Sequence, residues 1–372
     1  MGKTGRKLEK TIKMMNDKGL DGLVVFSRGN ISVLGPSYLH YFAGVRLFGR
    51  MSAAVVNKSG DVVLLVGPSW DVPRVTGKTW ISDVRGANAF PSDVTKTMKE
   101  LGISGTVGLI GQREITEEAY TAIASAAKVE PAEALIEEMA REKSPEEIEQ
   151  ARTAAKITDI GFEAFLEYAR PGQREYELAA EMEYAMRLAG ADDIFILLSS
   201  GPHNDEMHEP RDRRMAKGDI VIGEITPIVD GLFFQICRTV VIGKPAPIIA
   251  EKYNILMQAL NDSVAAVKPG LPAGVISKTM NKVISDAGYG KYCYPPYMRA
   301  RGHGFGVGSI APGGVIDDNT AMPLELGQVV VIHPNQYIPE TGYLACGETY
   351  LITEKGAERM VKTETKLYTN EV

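Results

Sequence analysis

Two Pro-Gly hinges in matching surroundings constrain this chain more than any other feature. Arg170-Pro171-Gly172-Gln173 closes one charged helical stretch and precedes another that runs to about Leu188, after which residues 194–242 turn strand-rich. Lys268-Pro269-Gly270-Leu271 does the same ahead of a helical stretch around 275–287, and residues 302–353 again turn strand-rich. Proline cannot continue a helix, and glycine takes the left-handed conformation that ends one. Two helix–helix–strand halves predict a duplicated α/β (α+β) unit, because a solenoid needs at least three repeats.

A chain of 372 residues exceeds what one hydrophobic core serves, so a second domain is expected in front of the repeat. The first third alternates helical and strand patterns. Residues 6–18 have helical spacing. Leu23-Val24-Val25-Phe26, Ala53-Ala54-Val55-Val56 and Val62-Val63-Leu64-Leu65-Val66 are short apolar runs bounded by Gly, Asn or Ser. The run from Gly105 to Gly111 has the same character, and its glycines lack the spacing of a dinucleotide fingerprint. Residues 112–166 read as helical and charged. Within them Ser144 has the character of an N-cap, with Pro145 at the first helical position and Glu147 three residues after the cap. The boundary therefore falls between 130 and 145, giving a smaller mixed α/β domain over 1–138 and a larger one over 139–372.

Composition excludes several classes. A formal charge of −6 argues against a protein that coats nucleic acid. No apolar run reaches the roughly 20 residues of a membrane span, and the polar N-terminus lacks a signal peptide's apolar stretch. The three cysteines, Cys237, Cys293 and Cys346, have no paired spacing, so neither a disulfide framework nor a zinc knuckle is indicated. A cytoplasmic protein acting on a small molecule is expected, with no nucleic acid or membrane partner.

Of five histidines, His203, His208, His303 and His333 lie in the C-terminal part, and His40 does not. The most informative stretch runs from Gly218 to Gly243, where two β-rich runs flank Asp230-Gly231, a hairpin signal. A two-residue turn there sets Glu224 opposite Cys237 and Thr226 opposite Gln235, with all four side chains on one face. The other face carries Ile225 and Ile236, which need a core. A carboxyl, a hydroxyl, an amide and a thiol gathered among apolar residues are costly unless they serve a site.

With these residues in hand, the order of motifs resembles the pita-bread fold family of methionine aminopeptidase, aminopeptidase P, prolidase and creatinase. The matching segments are Lys143-Ser144-Pro145-Glu146-Glu147, Arg170-Pro171-Gly172, Ser200-Gly201 through His208-Glu209-Pro210, and the hairpin ending Arg238-Thr239. Gly302-His303-Gly304-Phe305-Gly306 and the final strands 328–333 and 343–353 complete the set. The resemblance implies a C-terminal pita-bread fold behind a creatinase-like N-terminal domain, and a homodimer. The family's peptidases hold two divalent metals with two Asp, one His and two Glu. Carried over, the Asp ligands fall on Glu224 and Gln235, the His on His303, the first Glu on His333 and the second on Gly347, beside Glu348. That pattern is closer to creatinase, the branch that works without metal.

The resemblance thus implies a creatinase-like hydrolase with no cofactor, cleaving a C–N bond of a small polar substrate by histidine acid/base catalysis. His208 is expected as the principal general acid/base. His303 and His333 would supply hydrogen bonds or a second proton site, and Glu224 and Glu348 would orient water or pair with a cationic group. Gln235, Cys237, Arg46, Arg50 and Tyr297 are expected to bind substrate, an arginine holding a carboxylate as a bidentate pair. Burial opposite Glu224 disfavours a Cys237 thiolate. The alternatives are a hydrolase or lyase with one divalent metal ion on Glu224, His303 and His333, a prolidase-like Xaa-Pro peptidase, and a catalytically inactive binding module.

Overall fold

A computed structural model describes residues 3–29, 37–49, 51–298, 300–307 and 312–371. The chain divides into two compact units, one built mainly from residues up to Ala140 and the other from Arg141 onward.

In the N-terminal unit the β-branched runs form strands β1 (Gly22–Ser27), β2 (Ser52–Asn57) and β3 (Val62–Val66), followed by β4 (Asp83–Gly86), β5 (Thr106–Ile110) and β6 (Lys128–Pro131). They make one sheet in the order β4-β3-β2-β1-β5-β6, with β1 antiparallel to β2 and parallel to β5. Both faces are covered, which is why the central strands are apolar throughout. Leu23 and Val25 meet Met15, Leu39 and Ile136 on one side, while Val24 and Phe26 meet Phe90, Val94 and Val107 on the other. Strand β6 corrects the expectation of continuous helix over 112–166. Its Lys-Val-Glu-Pro sequence lies at the sheet edge, pairs parallel with β5 and carries no apolar alternation that would announce it.

The C-terminal unit opens on the helix Pro145–Tyr168. Ser144 Oγ accepts from Glu147 N at 3.2 Å and Glu147 Oε2 accepts from Ser144 N at 2.9 Å, closing the expected capping box. The helix Glu175–Leu188 follows, then β7 (Asp193–Gly201), β8 (Ile220–Val229), β9 (Leu232–Phe233) and β10 (Ile236–Ile242). The second half repeats the plan with helices Pro247–Ala265 and Gly274–Ile284. It continues with β11 (Gly302–Gly304), β12 (Val329–Ile332), β13 (Gln336–Ile338), β14 (Gly342–Leu344), β15 (Glu348–Thr353), β16 (Gly356–Arg359) and β17 (Tyr368–Asn370). One sheet runs β17-β10-β8-β7 with β9 on β8, another runs β11-β12-β15-β16, and β13 and β14 form a ribbon.

Each half places its helices on the sheets. Phe165 and Met182 pack with Val221, Ile225 and Ile236, whereas Leu256 and Ile276 pack with Ile220, Ile222, Val330 and Ile332. The two sheets meet where Cys237 and Gly347 exchange both backbone hydrogen bonds, each 3.0 Å. No helix among the described residues is long and apolar enough to cross a membrane.

Candidate active site

The site grows out of the β8–β10 hairpin. Asp230 and Gly231 take φ of 46° and 77°, the left-handed pair that a two-residue turn requires. That turn fixes the register, so Glu224 stands opposite Cys237 and Ile225 opposite Ile236. Ile225 and Ile236 enter the core under the first helix pair, and Glu224 and Cys237 emerge on the other face.

The second sheet supplies the imidazoles. His303 sits on β11 opposite Val331, and His333 follows β12, its backbone N–H bonded to Arg301 O at 3.0 Å. The two rings stand edge to face with centroids 5.8 Å apart, and His303 also meets Phe305 at 4.9 Å. His303 Nδ1 lies 3.1 Å from Gly304 O, which selects the Nδ1–H tautomer and leaves Nε2 as the free lone pair. His333 Nδ1 is buried with no hydrogen-bond partner among the described residues.

Glu224, His303 and His333 are half-buried, while Gln235, Cys237, Asn335 and Glu348 are buried outright. Burial drives the electrostatics. It pushes the Glu224 carboxyl up to about 7, against the lowering effect of Cys237. It holds His303 below the ordinary histidine value and takes His333 down to about 3, with His303 as the next cause. The Cys237 thiol is raised well above its usual range, first by burial and then by Glu224. Both imidazoles are therefore neutral at pH 7, and Cys237 is a thiol.

Cys237 is the hub of a polar cluster. Its Sγ accepts from Gln235 Nε2 at 3.6 Å and from Asn335 Nδ2 at 3.4 Å, and it faces Glu224 Oε2 at 3.9 Å. Asn335 Oδ1 accepts from Cys346 N at 2.8 Å, which fixes that amide's orientation. Tyr343 lies close by, its phenol raised by burial and next by Cys237. Sequence reasoning passed over Asn335 and Tyr343. The only available signal was the pairing of Tyr337 with Tyr343 across β13 and β14, which emerges once the ribbon has formed.

The other expected residues stand elsewhere. Glu348 is fully buried and accepts from Arg238 Nη2 and Arg359 Nε, each at 3.1 Å, and from Thr365 Oγ1. All three contacts fall on Oε2, Oε1 has no hydrogen-bond partner among the described residues, and Arg238 is also bonded to Gly347 O at 2.7 Å. His208 lies on the segment after β7. Its Nδ1 is 2.7 Å from Glu209 O and its carbonyl accepts from Leu198 N, and no hydrogen bond among the described residues links it to Glu224, His303 or His333. Tyr297 stacks on Tyr337 at 5.6 Å and meets Tyr292 at 4.8 Å, forming a small aromatic cluster. Arg46 belongs to the N-terminal unit, where its carbonyl accepts from Arg74 Nη2 at 2.9 Å. Arg50 lies outside the described residues.

Residues 149–354, more than half of the chain, match metallopeptidase family M24. The chain belongs to that family. Residues 7–141 match the creatinase/prolidase N-terminal domain. A Xaa-Pro dipeptidase of Pyrococcus furiosus is 28% identical over 366 residues, covering 97% of this chain and 99% of that one. An uncharacterized peptidase of Bacillus subtilis is 29% identical over 359 residues, covering 94% and 96%. Among solved structures, a Xaa-Pro dipeptidase from Bacillus anthracis superposes with a TM-score of 0.85 at 26% identity, covering 98% of this chain and 99% of that one.

The M24 match corrects the expectation of a site without a cofactor, because the family is one of metallopeptidases. It likewise removes the support for a metal-independent creatinase-like branch, since these relatives are peptidases. The pair of metals seen in the family's peptidases does not fit these side chains, however. Two dications at the usual separation repel by on the order of 20 kcal/mol at an effective dielectric of about 20, and bridging carboxylates must offset that. At the positions to which the resemblance carries those ligands, only Glu224 bears an ionisable carboxyl, Gln235 is a neutral amide and Gly347 has no side chain. Among the described residues no three His, Cys, Asp or Glu side chains stand converged on a metal position. One carboxyl and two neutral imidazoles remain, donor types that a single divalent ion takes, although as placed here they do not converge on one point.

Proposed function

We propose that this M24 member hydrolyses a C–N bond in a small peptide-like substrate, with Xaa-Pro dipeptides as the first class to test. The observation that carries the reading is the half-buried Glu224 carboxyl, held at about 7 in a site that also holds two neutral imidazoles. A group titrating near the working pH serves equally to take a proton from water and to return it to a leaving nitrogen. Cys237 holds Glu224 in place from the opposite strand, and His303 Nε2 offers a second proton acceptor. His208 retains its candidacy as a further acid/base residue through its place on a strand-flanking loop. A divalent ion, were one held at the His303 and His333 imidazoles, would polarise the carbonyl of the scissile bond, leaving the Glu224 carboxyl to move the proton. Glu348, bound by two arginines, buttresses the wall of the site rather than touching substrate.

The similarity to Xaa-Pro dipeptidases supports the substrate class. Proline release from a panel of Xaa-Pro dipeptides, measured with and without added Mn²⁺ or Co²⁺, tests it. Turnover of these peptides is expected, with kcat at least ~100-fold lower in Glu224→Gln, the usual worth of a positioned proton-transfer group. A panel entirely refused, or a Glu224→Gln variant at wild-type rate, would overturn the proposal.

A further inference from the structure

We infer that the active site of this chain accepts no more than one divalent ion, because the cluster around Cys237 closes the half of the site where a second would lie. The inference shares its site with the proposed hydrolase but not its substrate. Gln235 stands where an aspartate ligand of the family would, and its amide nitrogen is turned onto Cys237 Sγ at 3.6 Å. Asn335 sends a second amide N–H to the same sulfur at 3.4 Å, and its own oxygen is committed to Cys346 N at 2.8 Å. Two amide donors thus converge on the thiol, and a dication placed among them would meet the positive ends of both dipoles.

The remaining ligand position is shut by packing. A Cβ on residue 347 would come within 2.8 Å of His333 Cβ, 3.0 Å of Cys237 Cβ and 3.1 Å of Cys237 Sγ. The two Cβ atoms are fixed by the backbone, so side-chain rotation can move only the sulfur. Gly347 is also locked to Cys237 by two backbone hydrogen bonds of 3.0 Å, so it cannot back away. The adjacent carboxylate, Glu348, is held through Oε2 by Arg238 and Arg359 at 3.1 Å. Among the described residues that leaves Glu224, across from Cys237 at 3.9 Å, and the unpartnered Oε1 of Glu348 as the carboxylate oxygens near the cluster, fewer than a pair of dications needs.

The test counts metal without reference to turnover. Chelator-treated protein is dialysed against excess Mn²⁺, freed of loose ion, and analysed by elemental mass spectrometry and electron paramagnetic resonance. We expect one ion per chain at saturation, with the six-line signal of an isolated Mn²⁺. The Gln235→Asp variant, which restores one carboxylate and leaves Cys237 and Gly347 in place, is expected to hold no more than the wild type. Two ions per chain, or an exchange-coupled multiline spectrum, in either protein would overturn the inference whatever the peptide panel shows. A count of zero would uphold the closure and instead remove Glu224, His303 and His333 as metal donors.

Discussion

Burial decides the proton chemistry of this site one residue at a time. His333 lies near 3 in the folded chain against an ordinary value of 6.5, so the fold resists its protonation. A lowered histidine value means that its contribution to stability is whole above pH 6.5 and drains away as the pH falls toward 3. The melting temperature is therefore expected to drop through that window, and to drop less steeply in His333→Gln. Equal slopes in thermal melts of the two proteins would show that another group carries the acid lability. Gly347 provides a second residue-scale prediction. Adding a methyl 2.8 Å from His333 Cβ overpacks a rigid contact, so Gly347→Ala is expected to destabilise by about 1–3 kcal/mol in urea unfolding. An unchanged midpoint would mean that the contact yields.

At the scale of elements, the β8–β10 hairpin and the helix Pro145–Tyr168 are locally encoded. Asp230-Gly231 sets the strand register through its left-handed turn, and that register alone puts Glu224 and Cys237 on the same face. The capping box at Ser144 and Glu147 starts the helix whose Phe165 covers the back of that hairpin. Ser144→Ala leaves the Glu147 N–H without its side-chain acceptor and is expected to cost about 1 kcal/mol, read as a lower denaturation midpoint with activity retained. A loss of activity at full stability would instead tie the cap to the site. The same period of two that makes the hairpin legible separates Gly347 from Glu348. Adjacent residues on a strand face opposite ways, so Gly347 turns toward His333 and Cys237 while Glu348 turns to Arg238 and Arg359.

For the whole molecule, the repeated Pro-Gly hinges and the order of motifs were enough to identify a duplicated fold behind a separate α/β unit. They work because helix stops, N-caps and tight turns act within a few residues of themselves. The edge strand Lys128–Pro131 escaped that logic, since a strand without apolar alternation exists only by virtue of the neighbour it pairs with. The site divides in the same way. The resemblance carries the family's ligand positions onto Glu224, Gln235, His333 and Gly347 in order along the chain, but the expectation of a site without a cofactor drawn from them was overturned by the metallopeptidase match. That Asn335 joins Gln235 on one sulfur, and that a side chain at 347 has nowhere to go, depend on two sheets meeting at Cys237. Contacts between residues a hundred positions apart are set by packing, for which local sequence carries no signal, and there the tertiary structure alone decided the chemistry.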